Sequence, residues 1–448
     1  MKTICIYFQI HQPFRLKRYR FFNIGKDHYY YDDFSNEDIL QQIAQKSFIP
    51  ANRLLLDLVN QYDGKFKVAF SISGVALEQL EVYAPEVIDG LRELSRTGHV
   101  EILGETYAHS LSSLVDPEEF AEQVRFHSDK IKLLFGKEPK TFRNTELIYS
   151  DEIGEMIYSL GFDKVLTEGA KHILGWKSPN YVYQSETQPK LKILMKNSKF
   201  SDDIAFRFSN YNWSKYPLTA DKFISWIADT PESENVINLF MNYETLGNIQ
   251  AAYTGIFEFM KALPRFAIDK GIKFGTPSEI LETHKPIGSI TVPNPISWAD
   301  EERDLSAWLG NSLQKGAFDT LYSIGERVRM SNNRRLKQDW NYLQTSDHFY
   351  YMSTKHFSDG AVHSQFSPYS TPYDAFNNYM NVLSDLIGRV KSEYPDDVDN
   401  EELNSLLITI QNQGLEIKKL QAELKSITDA NAEKFVEKTK VNRKETVK

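Results

Sequence analysis

Polar residues follow short apolar, β-rich runs at six places in the sequence. These places are His11-Gln12-Pro13, Ser73, Glu105, Glu146, Glu168-Gly169 and Asn242-Tyr243-Glu244. In a parallel α/β sheet or barrel the active site lies at the carboxyl ends of the strands, so such side chains meet on one face of the fold. Carboxylates, amides and imidazoles gathered in this way are suited to a carbohydrate or another small polar ligand.

Two of these stretches have the groups needed to break a glycosidic bond. The retaining route uses two carboxyl groups about 5–5.5 Å apart, one ionised as nucleophile and one protonated as acid. Neighbouring strand ends of a barrel supply that spacing. Phe142–Tyr149 and Phe240–Gly247 each place carboxylate and amide groups at the end of an apolar run, so they are the candidates for this chemistry.

The apolar runs themselves predict the elements that position these residues. Helical patterns, among them Pro85–Arg96 and Asp151–Leu160, separate the runs. Alternation of strand and helix is the signature of a parallel α/β sheet or barrel. The predicted strands are Ile4–Phe8, Phe66–Ile72, Val100–Leu103, Thr141–Arg143, Lys164–Leu166, Leu191–Met195 and Val236–Met241.

The pattern becomes wholly helical after Pro293-Asn294-Pro295. Three long helices are predicted, at Leu305–Val328, Leu336–Met352 and Tyr373–Tyr394. Their Trp and Tyr residues are expected to fill the core of a bundle or to present sugar-stacking faces. The predicted domains are therefore a barrel at 1–290, a helical bundle at 291–394, and a linker with a coiled-coil tail at 395–448.

The tail carries a heptad pattern. A lone helix of four heptads is marginal in water unless it finds a partner. We therefore expect residues 403–431 to mediate self-association, although Gln413 at a d position weakens the seam. The a positions are Leu403, Ile410, Ile417 and Leu424, and the d positions are Leu406, Gln413, Leu420 and Ile427.

Composition excludes several classes of protein. Apolar residues make up 41% of the 448 residues, so most of the chain must fold. A net charge of −9 argues against nucleic acid or anionic membranes as partners. Cys5 is the only cysteine, which rules out an intramolecular disulfide and any CxxC zinc site. HExxH is absent, and we expect neither a metal nor a cofactor.

The sequence gives no sign of membrane insertion or export. Its apolar start is too short for the h-region of a signal peptide. Apolar runs long enough to span a bilayer, about 18 residues or more, are also missing. We therefore expect a cytoplasmic protein.

Five ordered segments together resemble a known family. They are His11–Pro13, Gly98–Thr106, Arg143–Tyr149, Met241–Gly247 and Gln344–Tyr350, with further likeness at His172–Trp176 and Ser201–Phe208. The chain is similar to glycoside hydrolase family 57, most closely to its α-amylase branch. His-Gln-Pro alone is a weak motif, but the order of the segments is specific, and the coiled-coil tail lies outside the resemblance.

The resemblance implies both a fold and an activity. It implies an incomplete (β/α)7 barrel followed by a helical bundle, acting with retention on α-1,4-linked glucans such as starch, glycogen and maltooligosaccharides. The family's nucleophile falls on Glu146, which Arg143 and Asn144 would keep ionised. His11 and His109 are implied to bind sugar hydroxyls. The remaining candidates for substrate binding are Gln12, Glu105, Arg143, Asp347 and His348.

The general acid departs from the family pattern. The fourth motif normally has Asp-x-Glu, and here Asn242 replaces the aspartate two residues before Glu244. An amide cannot protonate a leaving oxygen, and loss of a general acid costs about 10²–10⁴ in rate. Glu244 is either a substitute, because residues two apart on an extended segment share a side, or an orienting group. Glu105 and Asp347 are the other candidate acids.

Three functions follow from these observations. The first is a retaining α-glucan hydrolase or transglycosylase that uses Glu146 and is impaired at Asn242. The second is a non-catalytic glucan-binding or scaffolding protein that kept the cleft. The third, a metal-dependent carbohydrate deacetylase on a similar barrel, lacks a clear Asp/His ligand set.

Overall fold

The computed structural model describes residues 1–355 and 367–394, with five isolated positions after residue 408. Met1–Arg389 form one compact unit, and the chain from Val390 onward belongs to a second. Apart from those isolated positions, the predicted coiled coil at 403–431 lies outside the described residues. The domain boundaries predicted at residues 290 and 394 stay predictions.

Twelve strands are present in the described residues. They are β1 (Thr3–Ile10), β2 (Val68–Ile72), β3 (Val100–Ile102), β4 (Phe142–Arg143), β5 (Lys164–Glu168), β6 (Val182–Ser185), β7 (Lys192–Lys196), β8 (Val236–Asn242), β9 (Leu246–Gly247), β10 (Gln250–Ala251), β11 (Lys273–Phe274) and β12 (Ser289–Ile290). All seven predicted strands are among them. β6 and the two-residue strands β9 to β12 were not predicted, and strands of two residues are too short to show a period.

The helices alternate with strands as far as β12 and then follow one another. They are α1 (Asp33–Ile43), α2 (Ile49–Gln61), α3 (Gly74–Tyr83), α4 (Pro85–Arg96), α5 (Pro117–Phe135), α6 (Asp151–Ser159), α7 (Lys171–Leu174), α8 (Ser198–Ala205), α9 (Ala220–Ala228), α10 (Ile256–Asp269), α11 (Pro277–Thr283), α12 (Ser306–Leu309), α13 (Ser312–Tyr322), α14 (Gly325–Met330), α15 (Arg334–Leu343), α16 (Ser346–Tyr350) and α17 (Pro372–Glu393).

Backbone hydrogen bonds connect seven parallel strands in a ring. β1 pairs with β8 on one side and β2 on the other, and β2 pairs with β3. Gly104 joins β3 to β4, because its N–H donates to Thr141 and its carbonyl accepts from Arg143. β5 then pairs with β4 and β7. The N–H of Asn197, directly after β7, donates to the carbonyl of Asn238 in β8 at 2.8 Å and closes the ring.

The ring strands are buried on both faces, which explains their apolar sequences. Every residue of β1 is buried, and so is every residue of β2. Parallel strands covered by helices read as near-continuous apolar runs for this reason. Alternate β1 residues such as Ile4, Ile6 and Phe8 pack into the main hydrophobic cluster with helices such as α2 and α10. The predicted α/β class, with a helical region after the sheet, is confirmed.

The helical region differs from the prediction in one respect. Its last helix, α17, is continuous as predicted, but the first two predicted helices are broken into shorter ones. Asn311 caps α13 with a side-chain bond to the Gln314 N–H, and Asn333 caps α15 in the same way. Asn side chains compete for backbone N–H groups, so they begin new helices instead of continuing old ones. These breaks turn the chain, and the one at Gln344–Thr345 precedes the site residue Ser346.

Across the described residues, no helix combines the length and the apolar character needed to cross a bilayer.

Candidate active site

Glu146 lies in a single 3-10 turn directly after β4 and is completely buried. Its carboxylate is held from two distant parts of the chain. The Trp298 indole N–H donates to Oε2 at 2.7 Å, and the Ser346 hydroxyl donates to Oε1 at 2.9 Å. His109 Nε2 lies 3.3 Å from the same Oε1. A buried carboxylate with several donors is stabilised in its ionised form, which is the form that a nucleophile needs.

The backbone at this position is strained. Glu146 has φ 54° and Leu147 has φ 53°, and His109 on the facing loop has φ 53°. Left-handed conformations of residues other than glycine cost about 1–3 kcal/mol each and are concentrated at functional sites. His109 and Glu146 are also in contact, so they form a strained pair whose placement the surrounding structure enforces.

His109 lies between two carboxylates. Its Nδ1 is 3.1 Å from Glu105 Oε2, and its Nε2 faces Glu146. Burial alone would lower the pKa of His109, but the two carboxylates outweigh it and raise that pKa. Burial likewise favours neutral Glu105, but His109 and the Arg143 guanidinium, 3.6 Å away, hold the pKa of Glu105 below its usual value. The site is thus an alternating chain of opposite charges.

Gln9 joins this charge chain to the first strand. Arg143 Nη2 donates to Gln9 Oε1 at 2.6 Å, so the Gln9 amide nitrogen points the other way, 3.0 Å from His109 Nε2. A neutral His109 ring accepts this bond, whereas the imidazolium donates to Glu146 instead. Gln9 and His11 are two residues apart in sequence, at the end of β1, so they project to the same side.

His11 stacks on His109, with ring centroids 4.0 Å apart. Its Nδ1 lies 2.7 Å from the Ser73 hydroxyl and its Nε2 lies 2.9 Å from Asp347 Oδ2. Burial and the neighbouring His109 lower the pKa of His11 despite the Asp347 carboxylate. Burial also lowers the pKa of His348 to about 4, so this residue is a neutral ring.

Gln12 and Glu244 form a second polar group. The Gln12 amide donates to Glu244 Oε1 at 3.1 Å, and Gln12 Oε1 accepts from Arg15 Nη2 at 2.8 Å. All three side chains are buried. Glu244 is therefore engaged by the His-Gln-Pro segment that follows β1, which suits an orienting role.

Asn242 ends β8 and lines a small cavity beside Trp298. Its Cα pairs in register with Gln9. The cavity measures about 10 Å³, which is room for about one water molecule. Lys196 and Asp202 also line it. Trp298 thus touches both predicted catalytic positions: its ring borders the Asn242 cavity, and its N–H binds Glu146.

The structure brings eight of the ten predicted site residues into the contacts above. It buries the ninth, His348, and places the tenth, Asn242, on a cavity that Trp298 also lines. Gln9, Arg15, Trp298 and Ser346 also make direct contacts but were not assigned to the site, whereas Ser73 was predicted only as a polar residue after a strand. Gln9 shares its strand side with His11, and Ser346 lies inside the Gln344–Tyr350 motif, so both had a usable signal. Trp298 carried none, because only the fold brings it to Glu146.

Within the part of the chain that the structure describes, no group of three or more His, Cys, Asp or Glu side chains is placed to hold a metal ion. The ring nitrogens of His11 and His109 lie within hydrogen-bond distance of carboxylate, hydroxyl and amide groups, as described above.

Known proteins with similar folds share this architecture. A branching enzyme of family GH57 from Thermococcus kodakaraensis, solved with glucose, aligns over 91% of this chain and 94% of its own, with TM-score 0.62 and 12% identity. The α-amylase AmyC from Thermotoga maritima aligns over 90% of this chain and 96% of its own, with TM-score 0.57 and 12% identity. At these identities the likeness shows the fold alone.

Sequence comparison is more specific. A Methanocaldococcus jannaschii protein named "Putative alpha-amylase" is 43% identical over 395 residues, which are 84% of this chain and 82% of the relative. The profile of glycosyl hydrolase family 57 matches residues 5–293, a range that contains the strand ring, Glu146 and Asn242. With most of the chain matched in both ways, this protein belongs to glycosyl hydrolase family 57.

Proposed function

We propose that this protein is a retaining hydrolase or transglycosylase of α-1,4-linked glucans, of the α-amylase type, with Glu146 as its nucleophile. The observation that carries the proposal is the buried Glu146 carboxylate, which accepts hydrogen bonds from Trp298 and Ser346 and faces His109. Family membership supports it, as do the names of the relatives, which include amylases and a branching enzyme. On this proposal the strand ring is the incomplete (β/α)7 barrel.

The reaction proceeds through Glu146. A carboxylate oxygen attacks the anomeric carbon, the glycosidic C–O bond breaks, and a glycosyl ester forms on the enzyme. Water, or the hydroxyl of a second glucan, then attacks the same carbon and releases Glu146. When the ester forms, the negative charge on Glu146 disappears. The contact of His109 with Glu146 then weakens, whereas its contact with Glu105 remains.

Protonation of the leaving oxygen is the impaired step. The Asn242 amide cannot donate the proton that an aspartate there would supply. Glu105 is a poor substitute because Arg143 and His109 keep it ionised. Glu244 and Asp347 are bonded to Gln12 and His11. We therefore expect natural glucans to be cleaved about 10²–10⁴ times more slowly than by an enzyme with an intact general acid.

One observation favours the second function, a non-catalytic glucan-binding protein. Glu146 has no exposed surface, and the cavity at Asn242 is too small for a sugar. A glucan reaches Glu146 only if groups packed around its carboxylate, which include Trp298, move away. If that movement does not occur, the protein keeps the family's glucan-recognising face without its chemistry.

The test uses a substrate that needs little protonation. α-Maltosyl fluoride leaves as fluoride, so the wild-type chain is expected to consume it while cleaving starch poorly. Asn242→Asp is expected to raise starch hydrolysis by orders of magnitude and to change fluoride release little. Glu146→Gln, the matched control, should abolish both reactions.

The outcomes separate the two functions. The binding function would replace the catalytic one if the wild type releases no fluoride and Asn242→Asp gains no starch hydrolysis. Unchanged circular dichroism would show that both proteins are folded. Release that persists in Glu146→Gln would move the nucleophile to another residue.

Self-association through residues 403–431 is the second part of the proposal. The support is the heptad pattern of the sequence, and the partner is a second copy of this chain.

A further inference from the structure

A large cavity lies away from Glu146, between α5 and the helices α14 and α15. It measures about 730 Å³, within the range of about 300–1,000 Å³ that small-molecule sites occupy. Its lining includes neither Glu146, His109 nor Trp298. The proposed reaction makes no use of this space.

One wall of the cavity is a face of α5 that carries acidic and apolar groups. The lining residues Glu119, Glu122, Phe126, Asp129 and Leu133 follow the helical spacing of one face. The Phe126 ring is 54% exposed and Leu133 is 78% exposed. This face therefore presents apolar surface between carboxylates.

The opposite wall is basic. Arg334, Lys337, Gln338 and Asn341 lie on one face of α15, and Arg329 comes from α14. Arg329 is already paired with Asp116 at 2.6 Å. Lys337 donates to the Arg329 carbonyl and Gln338 donates to the Tyr342 hydroxyl. All of these residues line a space that carboxylates of α5 also line.

Several polar groups of the two walls are uncommitted. Glu122, Asp129, Arg334 and Asn341 make no side-chain hydrogen bond or ion pair with another described residue. At the end of the cavity, by contrast, the hydroxyls of Tyr107 and Tyr342 both donate to Glu78. The uncommitted set therefore contains two acceptors on one wall, and a cation and an amide on the other.

We propose that this cavity is a second carbohydrate site, which binds a short α-glucan. A sugar hydroxyl donates to a carboxylate and accepts from a guanidinium, so one neutral ligand satisfies both walls. The carboxylates of Glu122 and Asp129 repel a simple anion, and the Arg334 guanidinium repels a simple cation, so neither kind of ion suits both walls. The apolar face of a pyranose ring packs on Phe126. The choice of an α-glucan rests on the proposed function of the chain.

The test reports the two sites separately. The chain contains six tryptophans, of which Trp340 lines this cavity and Trp298 binds Glu146. The full-length protein labelled with 5-fluorotryptophan gives fluorine NMR signals that Trp340→Phe and Trp298→Phe assign. Titration with maltotetraose is expected to shift the Trp340 signal with saturation.

Matched variants then locate the ligand. Phe126→Ala is expected to weaken the saturation at Trp340 by about fivefold to tenfold, the size of a lost stacking contact. Glu122→Gln should weaken it as well. Arg125→Ala, an exposed residue next to Phe126 that does not line the cavity, should leave it unchanged.

Each contrary result has a definite meaning. A shift of Trp298 without one of Trp340 overturns the second site and leaves the proposed function standing. A shift of Trp340 with no fluoride release from α-maltosyl fluoride overturns the catalytic function and keeps the site. If Phe126→Ala and Arg125→Ala bind maltotetraose with equal affinity, the ligand does not bind in this cavity. If inorganic phosphate shifts the Trp340 signal and maltotetraose does not, the proposal that the cavity binds a carbohydrate is overturned.

Discussion

Trp298 affects the proposed nucleophile, Glu146, in two ways. Its N–H stabilises the ionised Glu146 carboxylate, and its ring is one of the buried groups packed beside that carboxylate. The ring is itself held by contacts with Phe240, at 6.0 Å between centroids, and with the Lys196 ammonium, at 5.4 Å. The same residue therefore orients Glu146 and is one of the groups that must move before a ligand can reach it.

Replacing Trp298 by Phe separates these effects. Trp298→Phe keeps an aromatic ring but removes the donor. A hydrogen bond to a charged group contributes about 1.5–3 kcal/mol, so fluoride release from α-maltosyl fluoride should fall by about 10–100-fold. The control is Trp308→Phe, because the buried Trp308 Nε1 has no partner among the described residues. Equal rates in the two variants would contradict a role for the indole N–H.

The sequence identified some site residues and not others for a physical reason. Glu146 and His11 follow apolar strands directly, so a local pattern marks them. Trp298 and Ser346 lie 152 and 200 residues from Glu146 in the chain. Their roles depend on how the helical region packs on the strand ring, which no local pattern records.

At the level of elements, α5 connects the second cavity to the active site. Glu119 Oε1 accepts from the amides of Gln123 and Gln344, each at 2.8 Å. Gln123 Oε1 in turn accepts from the Ala108 N–H at 3.1 Å and from the Ser110 hydroxyl at 2.9 Å. These two residues flank His109 in sequence. Gln344, in turn, lies two residues before Ser346. Hydrogen bonds therefore connect the Glu119 carboxyl group to the segments that carry His109 and Ser346, so its charge state affects both.

This network makes stability depend on pH. Burial raises the pKa of Glu119 from 4.5 to about 7, with Glu122 adding to the rise and Arg329 opposing it. The folded state thus binds a proton that the unfolded chain releases, and this contribution is full below pH 4.5 and is lost as the pH rises through 7. At about 1.4 kcal/mol per unit, the loss is about 3 kcal/mol.

Glu119→Gln removes the titrating group but keeps an oxygen that accepts from Gln123 and Gln344. We expect the free energy of unfolding of this variant, measured in urea from pH 4.5 to 8, to fall less with rising pH than that of the wild type. The difference between the two declines is the part that Glu119 causes. Glu118→Gln, an exposed neighbour on the same helix, is the control and should follow the wild type. Parallel pH profiles for the wild type and Glu119→Gln would show that Glu119 titrates normally.

Element boundaries show the same division between local and long-range information. Pro85–Arg96 was predicted with the bounds that the structure has, because proline at the first position and a strong apolar face define α4 locally. Two of the three long helices predicted after residue 305, Leu305–Val328 and Leu336–Met352, were wrong as continuous helices, because their apolar spacing continues through the Asn311 cap in the first and the break at Gln344–Thr345 in the second. A side-chain cap overrides the periodicity that surrounds it.

At the scale of the whole molecule, local patterns predicted the α/β class, whereas they left a sheet and a barrel open and only the family resemblance implied a barrel. Apolar runs and intervening helices specify parallel strands, but no local pattern records that the Asn197 N–H after β7 donates to Asn238 in β8. The site also needs both regions, since His11 binds Asp347 and Glu146 binds Ser346. The geometry of the candidate active site is thus a property of the packed unit Met1–Arg389.

The heptad pattern beyond that unit predicts how copies of the chain interact. In sedimentation equilibrium the full-length protein should show a mass per particle larger than one chain, and a chain ending after Pro395 should not. The point variant Ile410→Asp/Ile417→Asp places charges at two a positions and should also give single chains, because buried charges without partners are costly. Gln411→Asp/Lys418→Asp, at b positions outside the seam, should keep the larger mass. Equal masses for the full-length and shortened chains would remove the tail from self-association, and dissociation by both double variants would show that charge alone, not the a/d seam, is responsible.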